Sequence, residues 1–295
     1  MKRILLIGNN GQVGWELQRT LAPLGTVTSL DREQIDLANP DSIRKVLRDI
    51  EPALIVNAAA YTAVDQAQAE PGLAMAVNGI APGVLAEEAK RLKAGLIHYS
   101  TDYIFDGKKA GAYEERDAPA PLNEYGKSKL AGDRAIQQVG CDHIIFRTSW
   151  VYGARRNNFL LTVLRLARER DQLRIVDDQF GAPTWCRMIA EATALVLSRR
   201  AGGQDYPSGI YNLTCGGRTS WFGFTQAIIA QAGPLLAGRC PVVAPIASDD
   251  YQSPAKRPAN SVLSNDLLSR VFGVRLPAWE QALALCLQDV ARLSA

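Results

Sequence analysis

The chain has 295 residues, 47% hydrophobic and 21% charged, enough for one large or two interlocked globular units and too apolar for disorder. Lys plus Arg total 33 against 30 Asp plus Glu, a formal net charge of +3 spread along the chain, which excludes a nucleic-acid footprint. Five cysteines (Cys141, Cys186, Cys215, Cys240 and Cys286) form an odd set with no C-x-x-C, so neither a disulfide framework nor a zinc site is expected, and only His98 and His143 are available for imidazole chemistry.

The opening MKRILLIGNNG has four apolar residues before a glycine, too few for a signal-peptide core, and no later run reaches the ~18 apolar residues of a membrane span. A cytoplasmic chain with no membrane partner is the expectation. The first strand is predicted over RILLIG (3–8), followed by a helix over 12–22, a strand over VTSLD (27–31) and a helix over 40–49. ALIVNAA (53–59), a helix over 72–93, GLIHYS (95–100), a helix over 123–139 and HIIFRTS (143–149) continue the alternation. Such alternation makes βαβ units, so the fold class is α/β, a doubly wound parallel sheet of Rossmann-like type covered on both faces. After Trp150 the pattern loosens into a helix near 158–170, a strand near 173–176 and a helix near 185–199. A Gly- and Pro-rich stretch over 201–218 and extended segments over 233–260 follow, predicting a smaller, interleaved C-terminal lobe.

Gly8-Asn-Asn-Gly11-Gln12-Val13-Gly14 follows the first strand and opens a helix. Glycine permits the tight turn and lets backbone approach a pyrophosphate, so Gly8, Gly11, Gln12 and Val13 are candidate contacts to a dinucleotide. The spacing is G-x-x-G-x-x-G rather than G-x-G-x-x-G, and a ligand-free turn uses the same glycines. Asp31 closes the second strand 23 positions after Gly8, where an acid meets an adenosine ribose. Its carboxylate favours the ribose hydroxyls of NAD and repels the 2′-phosphate of NADP, while the adjacent Arg32 attracts that phosphate, so NADH and NADPH both stay open. Asp36 and Leu37 are placed beside the adenine, and Ala60, Tyr61 and Thr62 beside the cofactor path, although core packing explains Ala58 to Ala60 equally well.

EYGKSKL (124–130) sets Tyr125 and Lys129 four residues apart on one face of a predicted helix. A surface helix with a snorkelling lysine has the same spacing. As chemistry, the pair suits reduction of a ketone, in which a nicotinamide delivers hydride to carbon while an acid protonates the oxygen. A free phenol titrates at ~10, and a nearby ammonium favours its ionised form, bringing proton exchange closer to neutrality. The same ammonium can bond the nicotinamide ribose. Thr101, just past the strand end at Ser100, lies where α/β sheets bind ligands and can donate to the developing alkoxide.

In order and spacing, the glycine turn, NAAA (57–60), STDYIFDG (100–107) and YGKSK (125–129) resemble the extended short-chain dehydrogenase/reductase family. More narrowly, GQVGWEL (11–17), NAAAYTAVD (57–65), FRTSWVY (146–152), DQFGAPT (178–184) and RPANS (257–261) are similar to its dTDP-sugar reductase branch over nearly the whole chain. The resemblance implies Tyr125 as acid, Lys129 as its tuner and ribose ligand, and Thr101 as carbonyl ligand. It implies NADPH or NADH as cofactor and a dTDP-sugar as substrate. The reaction implied is reduction of the 4-keto group of dTDP-6-deoxy-L-lyxo-4-hexulose to dTDP-L-rhamnose, for lipopolysaccharide and other cell-surface polysaccharide. Related dehydratases carry Thr-Asp-Glu; Tyr103 after Thr101 and Asp102 removes the second acid and disfavours dehydration. Asp102, Tyr103, Trp150, Asn158 and Arg257 are implied substrate contacts, with Arg257 facing the diphosphate, although Trp150 also suits a strand-end core and Arg257 a solvated loop. The domain division expected is 1–150 plus about 172–200 for dinucleotide binding, and about 151–171 plus 201–295 for substrate. Some relatives resemble magnesium-bridged homodimers, but Glu16 and Glu191 are isolated helical acids, so Mg2+ and dimerisation stay open. Two alternatives remain: another NDP-sugar reductase or epimerase, and a non-catalytic regulatory subunit resembling that of methionine adenosyltransferase.

Overall fold

A computed structural model describes residues 2–201 and 207–294. Its first part alternates β1 (Lys2–Ile7), α1 (Gln12–Leu21), β2 (Gly25–Leu30), α2 (Pro40–Ile50) and β3 (Leu54–Asn57). Short helices α3 (Val64–Ala69) and α4 (Pro71–Met75) lead through a π-helical turn, Ala76–Ile80, into α5 (Ala81–Leu92), β4 (Gly95–Thr101), α6 (Glu124–Val139) and β5 (His143–Thr148). Then come β6 (Val151–Tyr152), α7 (Phe159–Glu169), β7 (Gln172–Val176), β8 (Phe180–Gly181), β9 (Thr184–Trp185) and α8 (Cys186–Ala201). The last elements are β10 (Gly209–Asn212), β11 (Thr219–Ser220), α9 (Trp221–Ala232), β12 (Val242–Ile246), α10 (Asp266–Phe272) and α11 (Trp279–Ser294).

Six parallel strands in the order β10-β5-β4-β3-β1-β2 form the main sheet. Every residue of β5, and all of β4 except Gly95, is buried, as expected of parallel strands covered on both faces. One face packs Leu17 and Leu21 of α1 with Ile189 and Val196 of α8 and Leu268 and Phe272 of α10. The other packs Ile43 and Leu47 of α2 with Val84 and Leu85 of α5. The order reverses between β1 and β3, the switch point at which doubly wound sheets bind ligands beyond their strand ends.

Strand pairing redraws the expected domain division. Residues 172–176, expected in the dinucleotide-binding domain, pair with β12 in a small separate sheet. Residues 209–212, expected in the lobe, pair with β5 and complete the main sheet. The reason lies in β7 itself, where Gln172 and Arg174 are exposed and Leu173 and Val176 are buried. A strand wet on one face cannot sit inside a doubly covered sheet. The lobe has its own core, in which Tyr152, Leu160, Phe224, Trp279 and Leu283 are buried together.

Candidate active site

The loops after β1, β3 and β4 share one end of the sheet. Gly8 has φ +88°, and a Cβ there would lie 2.7 Å from the Ala59 nitrogen; a Cβ on Gly14 would lie 1.9 Å from the Gly8 oxygen. Strand, helix and neighbouring loop therefore meet at backbone distance, which only glycine allows. No side chain caps α1, so the first-turn N–H groups of Gln12, Val13 and Gly14 have no intrahelical acceptor and lie at the positive end of the helix dipole. The Gln12 Oε1 at this helix start is buried and unpartnered. Closed cradle and uncapped helix together fit the pyrophosphate of a dinucleotide.

The N–H groups of Gly8 and Asn9 both donate to the Leu30 carbonyl, at 2.8 and 3.3 Å, so Asp31 borders the glycine turn. Its Oδ1 accepts from the Glu33 N–H at 2.9 Å. Asp36 is exposed and accepts from the Ala38 N–H, whereas the Leu37 side chain belongs to the core with Ile7 and Ile35. Ala60, Tyr61 and Thr62 follow β3 on the loop that passes under Gly8. Tyr61 is fixed at both ends. Its hydroxyl donates to Glu70 at 2.7 Å, and its backbone exchanges hydrogen bonds of 2.9 and 3.0 Å with the Asn78 amide. Asn78, on the π-turn, also donates to Ser128 Oγ at 3.1 Å, and Ser128 donates to the Tyr125 carbonyl. The cofactor loop and the helix carrying Tyr125 are thus joined through one amide.

Tyr125 and Lys129 lie on α6, whose N-terminus is capped by Asn123 Oδ1 accepting from the Gly126 N–H at 2.8 Å. The Tyr125 phenol is hydrogen-bonded to the Thr101 hydroxyl, so the catalytic pair predicted on separate elements is brought together. Burial pushes the phenol up to about 12; the Thr101 bond opposes this, and Asp102 and Asp133 add to it. This corrects the expectation that the Lys129 ammonium draws the phenol toward neutrality. Lys129 is 1% exposed and turned elsewhere: Nζ donates to the Tyr99 carbonyl at 2.6 Å and stands 3.3 Å from His98 Nε2. Burial draws its ammonium down to about 8, against the attraction of Asp133. Asp133 is itself paired with Arg147 at 3.2 Å, both buried.

On the far side of Tyr125, Asp102 accepts from Ser149 Oγ at 2.7 Å and from Thr101 Oγ1 at 3.1 Å. Burial raises its carboxyl to about 6, against bonds from Ser261, Ser149 and Thr101. A hydroxyl has one proton, so a substrate oxygen must win the Thr101 proton from Asp102. Tyr103 packs edge-on to Tyr125, ring centroids 6.0 Å apart, and its phenol is hydrogen-bonded to Arg257. Arg257 also donates to Asp65 at 2.9 Å and to Ser253, so its charge is paired rather than solvated. Trp150 has φ +47° and lies flat on Trp221, 3.4 Å away, with Gly181 against its indole. One face of that indole is therefore already covered. Asn158 stands apart from the group, its side chain spent on capping α7 and on the carbonyls of Gly153, Arg155 and Arg156. Glu16 is held by Arg19 and Arg187, and no group of three potential metal ligands occurs among the described residues.

Sequence reasoning passed over Asn57, Asn78, His98 and Asp133. A signal existed for Asp133, which continues the four-residue spacing of Tyr125 and Lys129 along one helix face.

The family described as the RmlD substrate binding domain matches residues 1–292. A dTDP-4-dehydrorhamnose reductase of Burkholderia thailandensis is 49% identical over 98% of this chain and 99% of its own. That of Escherichia coli K12 is 42% identical over 97% of each chain. Among solved structures, the dTDP-4-dehydrorhamnose reductase of Bacillus anthracis in complex with NADP superposes with a TM-score of 0.90, at 32% identity, covering 98% of this chain and 99% of that one. Matched from end to end in sequence and fold, the chain belongs to the dTDP-4-dehydrorhamnose reductase family.

Proposed function

We infer that this chain reduces the 4-keto group of dTDP-4-dehydro-6-deoxy-L-mannose to give dTDP-L-rhamnose, using NADPH or NADH, for cell-surface polysaccharide. The observation that carries this reading is the bond between Tyr125 and Thr101, with Lys129 one helical turn further along α6, at the end of the parallel sheet where the glycine turn after β1 also lies. A nicotinamide held there would supply the hydride for the carbonyl carbon. Tyr125, kept protonated by burial, donates to the carbonyl oxygen as charge develops there. Thr101 orients the same oxygen once it exchanges its bond to Asp102. On this reading Lys129 is the ligand for the nicotinamide ribose, and Gly8, Gly11, Gln12 and Val13 offer backbone to the pyrophosphate. Tyr103, Arg257 and Trp150 are then the contacts for the sugar nucleotide, a role supported by the bond between Tyr103 and Arg257 next to Tyr125. Tyr103 packs on Tyr125 where a dehydratase needs a carboxylate, which supports plain reduction. A cytoplasmic location, where nucleotide sugars and reduced nicotinamides are made, goes with this reading, and no helix among the described residues is long and apolar enough to cross a membrane.

The test is turnover by the purified chain. Incubation with the keto sugar nucleotide and NADPH is expected to consume the cofactor and yield dTDP-L-rhamnose by NMR. Consumption giving a different sugar points to another NDP-sugar reductase, and cofactor binding without consumption points to a regulator.

A further inference from the structure

Behind Tyr125 a chain of polar groups has a proton count that fixes the state of each. The Ala59 N–H donates to Asn57 Oδ1 at 3.2 Å, so the amide nitrogen of Asn57 is the atom 3.1 Å from His98 Nδ1. An amide nitrogen only donates. Nδ1 therefore accepts, and the single ring proton of a neutral imidazole sits on Nε2, facing Lys129 Nζ at 3.3 Å. An ammonium has three donors and no lone pair, so it would set donor against donor where both residues are 1% exposed. An amine has a lone pair for that N–H and still donates to the Tyr99 carbonyl at 2.6 Å.

We propose that His98, fixed in its Nε2–H tautomer by Asn57, is a positioning residue that disfavours the ammonium form of Lys129 in the free protein. Every element around Lys129 bears on this. From β4, His98 opposes the charge. From α6, Asp133 favours it, but its Oδ2 is taken up by Arg147 of β5. Tyr125, also on α6, keeps its proton and brings no charge, and Asp102 lies past β4 on the Thr101 side of the phenol. Burial acts with His98, lowering both the lysine and the imidazole from their ordinary values. Lys129 thus gives up its proton more readily than a solvated lysine, and its amine form can accept a hydrogen bond as well as donate one.

Long-range proton–nitrogen NMR correlations of the free protein test this without any substrate, so the outcome does not depend on which ketone is reduced. His98 and His143 are the only imidazoles. His143 Nδ1 faces the Cys141 carbonyl at 2.8 Å and must carry its proton there, so the two rings are expected in opposite tautomers. Lysine side-chain carbon shifts followed with pH are expected to show Lys129 losing its proton well before the surface lysines. Asn57→Asp turns the donor into an acceptor, which reverses the imidazole and lets Nε2 accept from an ammonium. The Lys129 midpoint should then rise by about one pH unit or more, about tenfold in proton affinity. His98→Gln, which offers a carbonyl to the lysine, should act the same way and serves if the first variant fails to fold. A His98 ring in the Nδ1–H or doubly protonated form, or a Lys129 midpoint unmoved by His98→Gln, would overturn the proposal.

Discussion

At neutral pH the Tyr125 phenol, pushed up to about 12 by burial, meets a substrate with its proton attached. Tyr125→Phe removes that proton and leaves the ring packed on Tyr103, so kcat is expected to fall by about 10² to 10⁴-fold with cofactor Kd unchanged. Retention of more than about a tenth of wild-type turnover would place the acid elsewhere. Asp102 makes a prediction about stability. Burial lifts its carboxyl from 3.8 to about 6, so the folded chain holds a proton that the unfolded chain gives up in that window. Its contribution is therefore favourable at low pH and is lost as pH rises through about 6. Asp102→Asn has no such titration, and its melting temperature relative to wild type should climb between about pH 4 and about pH 7; a pH-independent difference would refute the desolvation. Asp31, beside the glycine turn, repels a 2′-phosphate, and Asp31→Ala should shift the ratio of NADH to NADPH dissociation constants toward NADPH by about tenfold, ~1.4 kcal/mol. A ratio left where it was would mean the carboxylate does not face the ribose. Tyr125, Lys129 and Thr101 are legible in the sequence because helix periodicity and a strand end are local rules. His98 and Asn57 are not, since their roles arise from the register of β3 and β4, which pairs Asn57 with His98.

Helix α6 shows what the pattern of an element leaves out. Its start is legible in Asn123 and its stop in Gly140, which takes the left-handed conformation after the last turn. Its glycines are less so. A Cβ on Gly132 would lie 2.2 Å from the Asn78 carbonyl oxygen, so here the helix touches the π-turn by backbone alone. Gly72, in α4, has nothing within 4 Å of the same added atom. Gly72→Ala is therefore expected to stabilise by about 0.4–1 kcal/mol through the unfolded chain, while Gly132→Ala should lower the melting temperature and kcat together by pushing α6 off Asn78. Equal responses from the two variants would show that the contact is slack. The π-turn itself is invisible in sequence, because 72–93 has continuous helical periodicity and a turn of five residues leaves that pattern almost intact.

Across the molecule, Arg257 ties the segment before it to the cofactor side. Burial would raise the Asp65 carboxyl, but hydrogen bonds from Arg257 and Ser253 outweigh it and hold the carboxyl below its ordinary value. The strap is thus intact at neutral pH and weakens as pH falls through that lowered value. Arg257→Ala is expected to raise KM for the sugar nucleotide by about tenfold, the loss of one charge-assisted contact, with cofactor Kd unchanged. Asp65→Asn run alongside separates the roles: a matching rise assigns Arg257 to the strap, and wild-type kinetics from both variants would leave the diphosphate without its cation. The overall α/β class is legible from alternation, but the assignment of 172–176 and 209–212 is not, because alternation says nothing of which edge a strand joins. That last point bears on how the molecule is made. Tyr211, Leu268, Phe272 and Val274 share one apolar cluster with Ile4, Leu6 and Ile97. On the ribosome, the first strand to emerge must wait for residues near the other terminus before its sheet face is covered and the open edge of β5 is paired. A nascent chain released early carries that bare edge into the cell, and truncation before residue 209 is expected to yield aggregate rather than a free-standing cofactor domain.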